Sequence, residues 1–154
     1  MMTEEEVLFD AEAGMQDVLI GAARTCALQH GGGAGRGLVM ARAATAALAR
    51  SFQADRDLHR TRWRVLQQVP ALQGRQLVKQ ERWAAALRVE LVTANVPDGE
   101  AAVAVEIASA SLRLAYAEWL GSARPRRLHT VLSQLDAEFG DVLGAGEEST
   151  RARR

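Results

Sequence analysis

Residues 100–120 read EAAVAVEIASASLRLAYAEWL, between Pro97-Asp98-Gly99 on one side and Gly121 on the other. Two apolar stripes run through this stretch at steps of three and four. Val103, Ile107, Ala110, Leu114 and Ala117 make one, and Val105, Ala108, Leu112, Tyr116 and Trp119 make the other. At about 100° per residue the stripes centre on opposite sides of one helix. Glu106, Ser109 and Arg113 form a polar line between them, and Ala104, Ser111 and Ala115 a line of small side chains on the other flank. A helix that is apolar on opposite sides needs two neighbours at once, its own core and something else. It is nearly long enough to cross a bilayer, but Glu106, Arg113 and Glu118 argue against that, because charge at bilayer depth is costly. The pattern predicts a buried helix shared between a domain core and a partner chain. Periodicity leaves open which stripe faces which.

Outward from this helix, the rest of the chain also follows helical spacing. Thr3 with Glu6 forms a capping box, and Val7, Ala11, Met15, Val18, Ala22 and Cys26 follow it, which predicts a helix from about Thr3 to Leu28. Gln29 to Gly37 (QHGGGAGRG) breaks the pattern and reads as a mobile loop, since glycine loses the most backbone entropy on ordering. A second helix is expected over Leu38–Phe52. A third runs from Asp55 to about Val69, where Pro70 disfavours helical geometry, with Leu58, Val65 and Val69 inward and Trp63 and Leu66 beside them. Pro70 suits the first turn of a fourth helix reaching about Thr93, with Leu72, Leu77, Trp83, Ala84, Leu87 and Leu91 on its buried side. After the central helix, Pro125 helps open a last one, striped by Leu128, Val131, Leu132, Leu135, Phe139, Val142 and Leu143. Gly144–Arg154 has no apolar anchor and is expected to be a loose tail. Nothing alternates with period two, so the expected fold is all-α with about six helices: one domain over 1–143 and a flexible tail over 144–154.

Composition narrows the function classes. Hydrophobic residues make up 48% and charged ones 25%, which is globular rather than disordered. Nineteen basic and nineteen acidic side chains cancel, so no global field draws the chain to nucleic acid or membrane. A single cysteine, Cys26, excludes an internal disulfide and suits a reducing, cytoplasmic setting. Glu4, Glu5 and Glu6 stand where a signal peptide would carry basic residues.

Candidate chemistry is sparse. Gly35-Arg36-Gly37 lacks the Gly-Lys-Ser/Thr of a phosphate loop and the strand that precedes a dinucleotide fingerprint. His30, His59 and His129 fall in three segments with no pairing at metal-ligand spacing, and no Glu-x-x-His occurs, so neither a metal nor a cofactor is expected. Cys26 lies on an apolar stripe as a small core residue, with no base at a recognisable spacing, so no enzyme activity is expected. Arg56, Arg60 and Arg64, at steps of four, either cradle an anion or form a solvated face offset by Asp55 and Asp57; the second reading is preferred. Trp63, Trp83, Tyr116 and Trp119 are large rings among many alanines, and they either fill core volume or wall a cleft for an apolar ligand.

Beyond these patterns lies a resemblance. Pro70-Ala71-Leu72 with Arg75, then Glu81-Arg82-Trp83-Ala84-Ala85-Ala86-Leu87, resembles the C-terminal domain of actinobacterial TetR-like transcription regulators. Leu112-Arg113-x-Ala115 and Trp119-Leu120, followed by a short break and one amphipathic helix, are similar to the way such domains end. Thr3-Glu4-Glu5-Glu6-Val7-Leu8-Phe9 is similar to the start of their linking helix. The likeness spans roughly Thr3 to Leu143. It implies a homodimer held through the last two helices, Glu100–Leu120 and Arg126–Leu143, in a four-helix bundle. Val103, Ile107, Ala110, Leu114, Leu128, Leu132, Leu135 and Phe139 would then line the seam. It also implies a pocket for a small apolar effector between the earlier helices and one side of the central one, lined by Met40, His59, Trp63, Leu66, Trp83, Leu87, Leu112 and Tyr116. Family members carry a three-helix DNA-binding module before the position of Thr3, where this chain has only Met1 and Met2. The chain as given is therefore expected not to bind an operator. The expected function is the effector-sensing and dimerisation part of such a regulator. The alternative is a stand-alone interaction protein that heterodimerises with a full-length relative or sequesters a small apolar ligand.

Overall fold

A computed structural model describes the backbone of residues 4–124 and 126–152, and the side chains of all of these except 4–13, 143 and 145–150. Among the described residues the chain is all-α, with no strand. The helices are α1 (Glu4–Gln29), α2 (Arg36–Phe52), α3 (Arg56–Gln68), α4 (Pro70–Thr93), α5 (Asp98–Gly121) and α6 (Leu128–Arg151), with a 3-10 turn, Gln53–Asp55, between α2 and α3. The capping box at Thr3, the side chains of Val7 and Ala11, Pro125, and the side chain of Leu143 lie outside the described residues. No helix among the described residues is long and apolar enough to cross a membrane.

Helices α2 and α5 form the centre. The side chains of α2 that face inward are Met40, Ala41, Ala44, Thr45, Leu48, Ala49 and Phe52. On α5 the arc Ala101, Ala104, Ala108, Ser111 and Ala115 is buried, together with Val105, Trp119 and Leu120. Small side chains on both surfaces suit a close approach of the two helices. Helix α1 lies against α2 and α4, and α6 against α5 and α2. The sequence left open which stripe of α5 faces its own core. Val105, Ala108 and Trp119 do so, while Val103 and Leu114 of the other stripe stand 59% and 52% exposed.

Helix ends are held by specific contacts. Gly35 enters α2 at φ 81°, a left-handed backbone that costs glycine nothing. Two residues on, the Gly37 N–H donates to Glu100 Oε1 at 3.0 Å, and a Cβ at Gly37 would meet Val96 Cγ1 at 2.9 Å. That close approach seats the start of α2 on the α4–α5 turn. The turn is itself a Schellman motif: Asn95 sits at φ 64°, its N–H donates to Val92 O, and the Val96 N–H donates to Leu91 O. The apolar contact that accompanies such motifs is supplied by Leu91 and Val96, both buried. Asp98 opens α5 and is paired with Arg88 at 2.7 Å.

Three expectations need correction. On α3, Leu58, Val65 and Val69 are 49%, 45% and 38% exposed, and the side chain that is buried is His59. The helix is turned so that His59, Trp63 and Leu66 face inward, about a quarter-turn from the Leu58–Val65 line. On α4, Leu77 is 60% exposed, likewise rotated out of the line through Trp83, Leu87 and Leu91. Helix α6 runs on to Arg151, so most of the segment expected to be a tail continues it as helix. Extending a formed helix by one residue costs far less than starting one, which lets it outrun its apolar stripe.

Candidate functional site

Five rings meet where the end of α2, the inner face of α3 and the last turns of α5 converge. The 3-10 turn redirects the chain after Phe52, so that α3 lays His59 against it with ring centroids 4.6 Å apart. His59 also meets Tyr116 at 5.6 Å and Trp119 at 5.9 Å, and Trp63 meets Tyr116 edge-on at 5.7 Å. Tilted and edge-to-face arrangements of this kind are the favoured ones for rings with quadrupoles. Within the cluster His59 Nδ1 and the Tyr116 hydroxyl are 2.8 Å apart, a hydrogen bond joining α3 to α5.

The electrostatics of this pair follow from burial. Removal from water lowers the His59 pKa below 6.5, helped by Arg62 and Lys79 and opposed by Asp55. The imidazole is therefore neutral at neutral pH. Burial also pushes the Tyr116 phenol up to about 12, with Arg62 acting weakly the other way. The pair is a neutral phenol on a neutral imidazole within a wall of rings. Such a pair can present one hydrogen-bonding edge to a flat or apolar molecule, but it supplies no activated nucleophile.

The arginine ladder is neither an anion cradle nor a solvated face over most of its length. One Arg56 nitrogen, Nη2, donates to Trp119 O and Ser122 O, both at 3.0 Å, and the guanidinium lies 5.8 Å from the Trp119 ring centroid. Arg60 Nε donates to Leu120 O at 3.4 Å. Both cations close the C-terminal end of α5, where carbonyls lack helical partners and the helix dipole favours positive charge. Arg64 alone of the three is exposed at the surface.

The expected effector set is only partly brought together. His59, Trp63 and Tyr116 meet in the ring cluster, and Leu112 and Trp83 pack half-buried against the hydrophobic core. Lys79 Nζ stands over the Trp83 ring at 4.9 Å. Leu66 is half-buried on α3. Met40 and Leu87, at 0% and 2% exposure, are sealed in the core and line nothing that a ligand could reach without displacing them. Phe52 belongs to the cluster and was missed, and Trp119, named among the large rings but not in the effector set, belongs to it too. Trp119 stood on the inner stripe of α5 and Phe52 ended the apolar face of the second helix, so their pattern was legible but their convergence was not.

The expected dimer set also divides. Val103 and Leu114 are open, and Ile107, Ala110, Leu135 and Phe139 are half-buried. Leu128 and Leu132, at 0% and 1%, fill the chain's own core and are unavailable to a partner. The reason lies at the start of α6, where the Leu128 N–H donates to Gln53 Oε1 at 2.9 Å and the Trp119 indole N–H to Arg126 O at 3.1 Å. These bonds tuck the first turns of α6 beneath α5. Further along, Arg42 donates to Asp136 O at 3.0 Å, and its Nε lies 3.5 Å from Asp136 Oδ1, an ion pair without hydrogen-bond geometry.

At the opposite end of α1, Cys26 Sγ and His30 Nδ1 are 3.6 Å apart. A base does therefore stand near the thiol, one helical turn on, which corrects the expectation that none would. Cys26 is 5% exposed, and Nδ1 is also 3.2 Å from the Cys26 carbonyl oxygen. Among the described residues, no three His, Cys, Asp or Glu side chains gather as metal ligands. Compared with protein-family models, curated proteins and solved structures, the chain has no match in any of the three.

Proposed function

We propose that the chain is the effector-sensing and dimerisation domain of a TetR-like transcription regulator. The observation that carries this reading is the division of labour on α5. Its inner arc delivers Tyr116 and Trp119 to the ring cluster, and its outer arc leaves Val103 and Leu114 uncovered beside Ile107 and Ala110. A flat apolar effector entering between α3 and α5 must part rings that now touch and break or replace the His59–Tyr116 bond. The last turns of α5 then shift, and with them the outer arc against a second subunit. The effector acts by binding one arrangement better than the other, which is a population shift.

Light scattering at tens of micromolar tests the quaternary half of this reading. At least a dimer is expected, and Leu114→Glu should remove the α5 contact and lower the association state without unfolding the chain, because a charge buried unpaired in an apolar seam is costly. Tryptophan emission during a screen of aromatic and acyl ligands tests the other half, since Trp63 and Trp119 border the cluster. A monomeric wild-type chain, or emission unchanged throughout the screen, refutes the corresponding half.

A further inference from the structure

Helix α4 has a second face. Opposite Leu87 and Leu91, the positions Ala71, Gly74, Val78, Ala85, Val89 and Val92 all lie exposed along its length, with Glu81 and Arg82 at the midpoint. Val78, Val89 and Val92 are 48%, 65% and 42% exposed, and a Cβ at Gly74 would touch nothing. The spacing is the three-four repeat of a helix-pairing seam. It is also palindromic about the bond between Glu81 and Arg82. In an antiparallel pair centred there, Ala71 faces Val92, Gly74 faces Val89, Val78 faces Ala85 and Glu81 faces Arg82. Every layer sets a small side chain against a larger one or an anion against a cation.

We propose that this face of α4 docks on the same face of a second copy of the chain, antiparallel, across a two-fold axis at Glu81–Arg82. The small-against-large order fits closely approaching axes, and the central layer supplies two ion pairs related by the symmetry. A parallel pair would set Glu81 on Glu81 and Arg82 on Arg82, so the charges select the orientation. This contact uses a different helix from the outer arc of α5, and a chain with both interfaces would associate beyond a dimer.

Sedimentation velocity on the full chain provides the test, with circular dichroism to confirm folding, which these exposed positions should not disturb. In the Leu114→Glu background, which removes the α5 contact, the α4 dimer is expected to persist. There, Glu81→Arg or Arg82→Glu alone should weaken association roughly tenfold, because each substitution turns two symmetric attractions into repulsions. The double exchange Glu81→Arg with Arg82→Glu should restore it. Val78→Cys combined with Ala85→Cys should give a covalent dimer on mild oxidation, whereas Val78→Cys alone should not. The proposal is overturned if the Leu114→Glu chain is monomeric, if the double exchange does not restore association, or if Val78→Cys alone cross-links. A wild-type dimer abolished by Leu114→Glu refutes this contact while leaving the α5 reading intact.

Discussion

Replacing Arg56 by alanine removes one guanidinium that donates to Trp119 O and Ser122 O at 3.0 Å and lies 5.8 Å from the Trp119 ring centroid. A hydrogen bond from a charged donor contributes roughly 1.5–3 kcal/mol, and the lower figure applies to a half-buried arginine. Two such bonds and a cation–π contact of about 0.5 kcal/mol make up about 3.5 kcal/mol. Freeing the side chain returns up to about 1.5 kcal/mol of rotamer entropy. The net cost is about 2 kcal/mol, a fall in melting temperature of about 4–8 °C for a domain of this size. Arg56→Lys keeps the charge but not the planar group lying over Trp119, and should lose about half as much. Urea unfolding followed by tryptophan emission measures both. A cost for Arg56→Ala below about 0.5 kcal/mol would sink the reasoning, because the carbonyls at the end of α5 would then be satisfied equally well by water.

Two other perturbations test the same junction and the turn before it. His59 has a folded pKa below 6.5, so the unfolded chain takes the proton first. Its contribution to stability is complete above that value and is lost as the pH falls through it. The melting temperature should therefore drop between about pH 7.5 and 5 more in the parent than in His59→Gln; parallel curves would refute this. At Asn95, held at φ 64°, Asn95→Ala should cost about 1 kcal/mol, whereas Asn95→Gly should be neutral or slightly stabilising. Calorimetry would contradict the geometry if alanine were tolerated as well as glycine.

The helices were legible because their boundaries carry strong punctuation. Pro70 opens α4, Pro97-Asp98-Gly99 introduces α5, and the glycine run separates α1 from α2. The facing of α3 was not legible. Its inward side consists of His59, Trp63 and Leu66, with Arg56 and Arg60 reaching back to α5, so the more apolar Leu58–Val65 line pointed the wrong way. The sealing of Leu128 and Leu132 depends on the bond from the Leu128 N–H to Gln53, 75 residues away in sequence, and no local period encodes it. Tyr116, Trp63 and His59 could be nominated as rings on helices, but their meeting depends on the short 3-10 turn after Phe52. Both stripes of α5 were visible, and burial alone decided between them.

Arg36, the first residue of α2, donates to Ala94 O at 2.5 Å and to Ala27 O at 3.1 Å. One side chain thus fastens the ends of α1 and α4 to the beginning of α2. The registration of these three helices is set by that fork and by Glu100 on Gly37, and the glycine segment ahead of Gly33, whose carbonyl accepts from the Arg36 N–H, contributes little beyond connectivity. It acts as a slack tether. Lengthening a tether costs only the entropy of closing a longer loop, about 0.6 kcal/mol for each doubling. Residues 31–32 are therefore where this architecture can accept an inserted peptide without disturbing the core.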